Sequence, residues 1–297
     1  TTEIYTLSLH DALPIFQPAL AKAQWANAMG LAVGAILGGL LPDAFGAIGM
    51  EYGISVYDIS YAASFAVMLG VLIYTLFAIA EEPRPLTANA LKQGFAKVPS
   101  VIAEASVLAL KHPTLSMLLA ALALFLMATN PVEVIWPTYA KPMLDEGYAN
   151  TAIGALTAGY FFSIAFGASL SAHISPLFRR RHAVTLAAIF AGLAVVQVAL
   201  AMQGSIVGFV IVFLVYSIIL GASETHASSI LHSCVDDHQR STMLSLRSLI
   251  QQLGGAMGLV MAGAVADIYT TSIAWMAGAV FLLMAMGLNL VLAKRLR

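Results

Sequence analysis

Two carboxylates stand out because their neighbours are so apolar. Glu133 closes a charge-free run that begins at Pro113, and Glu224 closes another that begins at Ala183. A carboxyl group set in hydrocarbon is costly and is by default functional, as a proton carrier or a partner for a polar solute. Asn130, Trp136, Tyr160, Tyr216, Gln251 and Gln252 fall in or at the edge of the same apolar stretches. Aromatic surface with a few hydrogen-bonding groups is the lining a cavity needs to hold small organic molecules. A second set is charged and lies between the runs. Arg179, Arg180 and Arg181 form one cluster, and Asp236 and Asp237 sit close in sequence to Arg240 and Arg247. Opposite charges at such a boundary can pair across a gate and close one side of a cavity.

Other chemistries fail on residue type or spacing. His226 and His232 are six apart, so they do not share a helix face as ligands three or four apart do. No His-Glu-x-x-His pair occurs, and no Gly-x4-Gly-Lys phosphate loop. Gly167-Ala168-Ser169 continues with Leu170-Ser171, so the Gly-x-Ser-x-Gly elbow of a serine hydrolase is not formed. Cys234 is the one cysteine and makes no internal bridge. The expectation is a protein that is not an enzyme and needs no metal or cofactor.

The elements that must position these residues are membrane helices. Of 297 residues, 60% are hydrophobic and only 10% charged, and the mean hydropathy is +0.87. A soluble domain carries about 25% charged residues. The net charge of −1 offers no footprint for nucleic acid. A span of the hydrocarbon core takes about 20 apolar residues. Charge-free runs cover Ala23–Pro42, Ile59–Ala80, Pro113–Val132, Gly147–Pro176, Ala183–Ser223, Ser248–Ala266 and Ile268–Ala293. The fifth run is twice as long as one span needs, and Gln203-Gly204-Ser205 breaks it as a hairpin. The count is eight spans. By run length, Glu133 falls near the outer surface and Glu224 near the inner one.

Alternate loops carry the basic residues. Thirteen lie on one side, among them Lys22, Lys92, Arg181, Arg247 and Lys294, and only Lys141 lies on the other. Basic loops face the cytoplasm. The long loop Glu81–His112 and the C-terminus are therefore expected inside a cell membrane. Within that loop Leu91, Phe95, Val98 and Ile102 recur at helical spacing opposite Lys92, Gln93 and Lys97, which predicts an amphipathic helix on the membrane surface.

An internal repeat joins the first and seventh spans. At an offset of 224, Gly30, Gly34, Gly39 and Asp43 match Gly254, Gly258, Gly263 and Asp267. Glycines four apart let another helix approach closely. Two spans, a long inner linker and six more spans, with this repeat, resemble a major facilitator superfamily transporter from its fifth to its twelfth helix. Gly30, Gly34, Gly38 and Gly39 resemble the fifth-helix motif of members that export drugs against protons, with Ala35 in place of its proline. Gly167 to Arg181 is similar to the second cytoplasmic gate motif, and Val235 to Thr242 to the loop before the eleventh helix.

The resemblance implies an all-α polytopic bundle of the superfamily's type, reduced to eight helices. Residues 16–80 would be the last two helices of the N-terminal bundle, 81–112 the cytoplasmic linker and 113–297 the six-helix C-terminal bundle. It implies proton-coupled efflux of small organic molecules by alternating access, in a monomer whose partners are lipid, solute and protons. Uptake by solute:proton symport is the alternative. Thr1–Ile15, TTEIYTLSLHDALPI, resembles the one-frame translation of a sequencing-library adapter. That stretch is set aside as non-native, the natural N-terminus is expected upstream, and residues 16–297 alone are expected not to transport.

Overall fold

The computed structural model describes residues 9–79, 89–178, 181–235 and 239–296. Among them all regular structure is helical. The helices are α1 (Leu9–Glu51), α2 (Asp58–Ala78), α3 (Ala90–Lys111), α4 (Pro113–Ala140), α5 (Ala149–Leu177), α6 (His182–Ala201), α7 (Ile206–Ser233), α8 (Arg240–Ile268) and α9 (Thr271–Arg295). Eight of these, all except α3, are long and apolar enough to cross a bilayer. The helix α3 is the amphipathic one, and it exposes Phe95, Val98, Val101 and Ile102 along its apolar face.

Local chemistry sets the boundaries. The break at Gln203–Ser205 is present, and Ser205 caps α7 by accepting from the Gly208 N–H at 3.3 Å. Thr270 caps α9 by accepting from the Ile273 N–H at 3.2 Å. Tyr139 at the end of α4 donates to the Gln203 carbonyl at 2.8 Å and pins that hairpin.

Three boundaries differ from the charge-free runs. The helix α1 continues through Pro42 and Asp43 to Glu51. A proline leaves the carbonyl four residues back without its helical donor. Here that carbonyl is Gly38's, and the Ser60 hydroxyl of α2 donates to it at 3.4 Å. The helix α4 runs seven residues past Glu133, and α7 runs nine past Glu224. At 1.5 Å per residue, Glu133 stands about 10 Å and Glu224 about 14 Å from their helix ends. Both acids therefore stand roughly one to three turns short of their helix ends. A run that is defined as charge-free must stop at a glutamate, even when the helix does not.

The core is built by α4–α9, with a contribution from α3. The helix α4 packs on α8 and α9, α6 on α7 and α9, and α5 on α7. One continuous buried cluster extends from Ala105 to Leu292. The helix α1 lies along α5, and α2 lies against α1 and buries none of its residues. In a bilayer, exposed apolar side chains such as Phe65, Val67 and Phe77 meet lipid and carry no penalty.

Glycine is needed where backbones touch. A methyl group on Gly254 or Gly258 would strike the Ala123 or Met127 backbone of α4. Gly167 and Gly221 do the same for α5 and α7, and Gly39 meets Gly154 and the Asn150 carbonyl of α5. Without a hydrophobic drive between helices in lipid, such close approach supplies much of the attraction. Gly30, Gly34, Gly38 and Gly263 have open space around their Cα atoms.

Candidate functional site

The sequence-predicted polar residues fall into two groups, one on each side of the bundle's mid-height. Glu133 on α4, Tyr160 on α5 and Tyr216 on α7 form the first, toward the end opposite the basic loops. Glu133 and Tyr160 are both half-buried and lie within electrostatic reach of each other. Tyr216 is fully buried and within electrostatic reach of both. Its hydroxyl has no hydrogen-bond partner among the described residues. The Tyr160 ring stacks on Phe213 with centroids 5.5 Å apart and meets Phe161 edge-on at 5.4 Å. Glu133 thus lies near Tyr160, whose ring belongs to a stack of aromatic side chains.

Trp136 continues that stack of rings into the core through Phe213. It is buried in the core between Phe209 and Phe213, at centroid distances of 6.4 and 4.9 Å. Three residues apart, Glu133 and Trp136 lie on nearly the same face of α4, and the Phe209 and Phe213 pair on α7 takes up the Trp136 ring. Asn130 is half-buried and sits over Gly255 of α8, whose missing side chain leaves the space.

The second group is nearer the basic loops and centres on Arg247 of α8, which is buried. Its Nη2 donates to Glu224 Oε2 at 2.6 Å, its Nη1 to Ser228 Oγ at 2.9 Å and its Nε to Gln251 Oε1 at 3.0 Å. The Ser228 hydroxyl in turn donates to Glu224 Oε1 at 2.8 Å. All three guanidinium nitrogens of Arg247 and both carboxylate oxygens of Glu224 are engaged in the network, which lowers the cost of a cation in a membrane helix. The sequence suggested Glu224 and Gln251 as cavity residues and Arg247 as a gate residue. The structure joins the three. Gln252, the neighbour of Gln251, is exposed one position around the helix.

The other gate residues are only partly visible. Arg179, Arg180, Asp236 and Asp237 lie outside the described residues. Arg181 is exposed just before α6, and Arg240 begins α8. His232 is within electrostatic reach of Arg240 and Arg247.

Two polar contacts had no sequence signal. His226 is buried, with its Nε2 3.1 Å from Ser171 Oγ and its Nδ1 3.1 Å from His182 Nδ1, so α5, α6 and α7 meet there. Gln197 donates to the Trp275 carbonyl at 2.9 Å and the Ala128 carbonyl at 3.3 Å, tying α6 to α9 and α4. Separations of 44 to 78 residues leave no pattern to read. Among the described residues no cluster of three or more His, Cys, Asp or Glu could hold a metal.

Eight helices are long and apolar enough to cross a membrane, and polar contacts join several of them. Comparison with known families matches residues 132–297, more than half of the chain, to the Major Facilitator Superfamily. The chain belongs to this superfamily. No curated protein matches it. As a member it is a multi-pass membrane transporter of small molecules, and the match covers Glu133, Tyr160, Tyr216, Glu224 and Arg247. The two spans that precede the linker stand outside the matched stretch.

Proposed function

We propose that this transporter exports small, mainly apolar organic molecules in exchange for protons, by alternating access. The observation that carries the reading is Glu133 on α4 within electrostatic reach of Tyr160 and Tyr216, beside the Tyr160–Phe213 ring stack. A carboxyl there can be charged when hydrated and neutral when closed off, so it suits a proton carried against an apolar solute. The aromatic rings offer the solute stacking area. The Glu224–Arg247 network, nearer the basic loops, suits a gate that closes the cytoplasmic side.

In this reading residues 113–297 are the C-terminal bundle, since one buried cluster joins α4–α9. Residues 16–80 are the last two helices of the N-terminal bundle and 81–112 the cytoplasmic linker. The asymmetry of the basic loops supports a linker and C-terminus inside the cell membrane. The protein works as a monomer.

The test is ethidium movement in membrane vesicles carrying the product of the complete open reading frame. A proton gradient is expected to drive dye against its concentration, and Glu133→Gln to slow this at least about tenfold. Dye exchange without a gradient should survive that change. Full gradient-driven efflux by Glu133→Gln would overturn the role of Glu133. Dye and protons moving in the same direction would favour uptake.

A further inference from the structure

The end of the bundle that carries the basic loops holds a cavity that the transport scheme does not use. It lies where α6 begins and where α7 and α9 end, with a volume of about 680 Å³. Arg181, His182, Ser229, Ser233, Ala293 and Leu296 line it. Lys294 and Arg295 are exposed between the last two. No described carboxylate lines the cavity or pairs with Arg181. Sites that hold small molecules run to about 300–1,000 Å³, so this one has room for a ligand. Its charge and its hydroxyl groups favour an anion.

One wall of the cavity is set from inside the bundle. The Nδ1 of His182 stands 3.1 Å from Nδ1 of the buried His226. Its Nε2 is therefore the ring nitrogen left for the cavity. His226 Nε2 is in turn 3.1 Å from Oγ of Ser171, which is also buried. Two ring nitrogens this close share a single proton, one donating and the other accepting. An anion at His182 Nε2 requires an N–H there, so a neutral His182 accepts at Nδ1. His226 then donates from Nδ1 and accepts at Nε2 from the Ser171 hydroxyl. The chain from Ser171 through His226 to His182 has one direction and ends in a donor on the cavity wall. It satisfies each buried polar atom along it without placing a charge among the helices.

We propose that this cavity binds a phosphate group through the Arg181 guanidinium and the His182 Nε2–H, with His226 and Ser171 as positioning residues behind it. A guanidinium offers the paired donors that phosphate oxygens accept. The Ser229 and Ser233 hydroxyls now donate to the Thr225 and Ile230 carbonyls of their own helix at 2.8 and 2.7 Å. Hydroxyl groups rotate, and a phosphate has oxygens enough to take both. A carboxylate, with two oxygens in one plane, would leave some of these donors unused. The phosphate of an anionic lipid headgroup and that of a soluble ester share this chemistry. The position favours the lipid, because phosphates of the bilayer lie at the level of the helix ends and basic pockets between helices there hold anionic headgroups. Ala293 and Leu296 give the cavity an apolar edge for the glycerol and the first part of an acyl chain. The proposal does not depend on Glu133 or on the direction of transport.

Calorimetric titration of the full chain in an uncharged detergent tests this with three probes. Dioctanoyl phosphatidic acid has the phosphate and the chains, glycerol 3-phosphate has the phosphate alone, and dioctanoylglycerol has the chains alone. Phosphatidic acid is expected to bind saturably, and dioctanoylglycerol is not. Arg181→Gln and His182→Ala should each weaken the lipid about tenfold or more, the loss of a hydrogen bond to a charged group. Arg181 is exposed, so its replacement leaves the packing intact. His182→Gln, which restores an N–H donor, should recover part of the affinity. Glycerol 3-phosphate binding as tightly as the lipid would support the phosphate site and assign it to a soluble ester. Equal binding of dioctanoylglycerol would overturn recognition of phosphate. Unchanged affinity in both Arg181→Gln and His182→Ala would overturn the site. Nitrogen-15 spectra of labelled histidine report the positioning pair. With phosphatidic acid bound, His182 is expected to carry its proton on Nε2, and Ser171→Ala should shift that proton toward Nδ1 and weaken binding. His182 with its proton on Nδ1 in the lipid-bound protein would overturn the role of His226 and Ser171.

Discussion

At the scale of single residues, the buried Arg247 decides what the inner network costs to break. Its side chain is 6% exposed and that of its partner Glu224 is 65% exposed. Removing one partner of a fully buried pair costs about 3–5 kcal/mol. Solvent access to Glu224 reduces that, so Glu224→Ala is expected to cost on the order of 1–2 kcal/mol. The measurement is the thermal unfolding midpoint in detergent. Replacing both residues by Glu224→Leu and Arg247→Met should restore stability toward the starting value, because no unpaired charge then remains. A double variant less stable than either single one would contradict this account. The polar types were legible from the sequence because charges are rare in these runs. The pairing was not, since Glu224 and Arg247 lie on different helices, 23 residues apart.

At the scale of helices, the glycines divide into those that touch a neighbour and those that do not. Gly221→Val would drive its side chain into the Ile164 backbone of α5, and Gly258→Val into the Met127 backbone of α4. Overpacking of this kind costs about 1–3 kcal/mol. Gly30→Val meets nothing within 4 Å and is expected to leave the midpoint unchanged or raise it slightly. The unfolding midpoints of the three variants provide the check. A glycine repeat read from sequence names a set of residues able to permit close packing. It does not say which of them has a partner, because that depends on how each helix is rotated about its axis. Gly39 and Gly38 are adjacent, yet only Gly39 meets α5.

At the scale of the whole molecule, the buried cluster belongs to α3–α9, while α1 contacts the rest through α5. Residues 81–297 are therefore expected to fold without the first two spans. Circular dichroism and gel filtration in detergent check this. A helical, monodisperse product with a cooperative transition is expected, and an aggregated one would mean that α1 completes the core. Asp43→Ala in the full chain should lower the midpoint by less than Glu224→Ala does, because Asp43 ties α1 to α5 outside the buried cluster of α3–α9.

The sequence alone determined the number of spans and the family resemblance, and its basic loops set the expected orientation. Those depend on the bilayer, which rewards uninterrupted apolar length and sorts basic loops to one side whatever the helices do next. It also pointed to Glu133, Glu224 and Arg247, because charge within hydrocarbon is rare enough to be seen without a fold. Tertiary structure decided how far α4 and α7 continue past the two acids, that Trp136 belongs to the core, and that His226 meets His182. It alone placed Asp43 on the first turn of α5. These are contacts between helices, and in lipid they are set by shape and hydrogen bonding across long separations, which leave no period in the sequence.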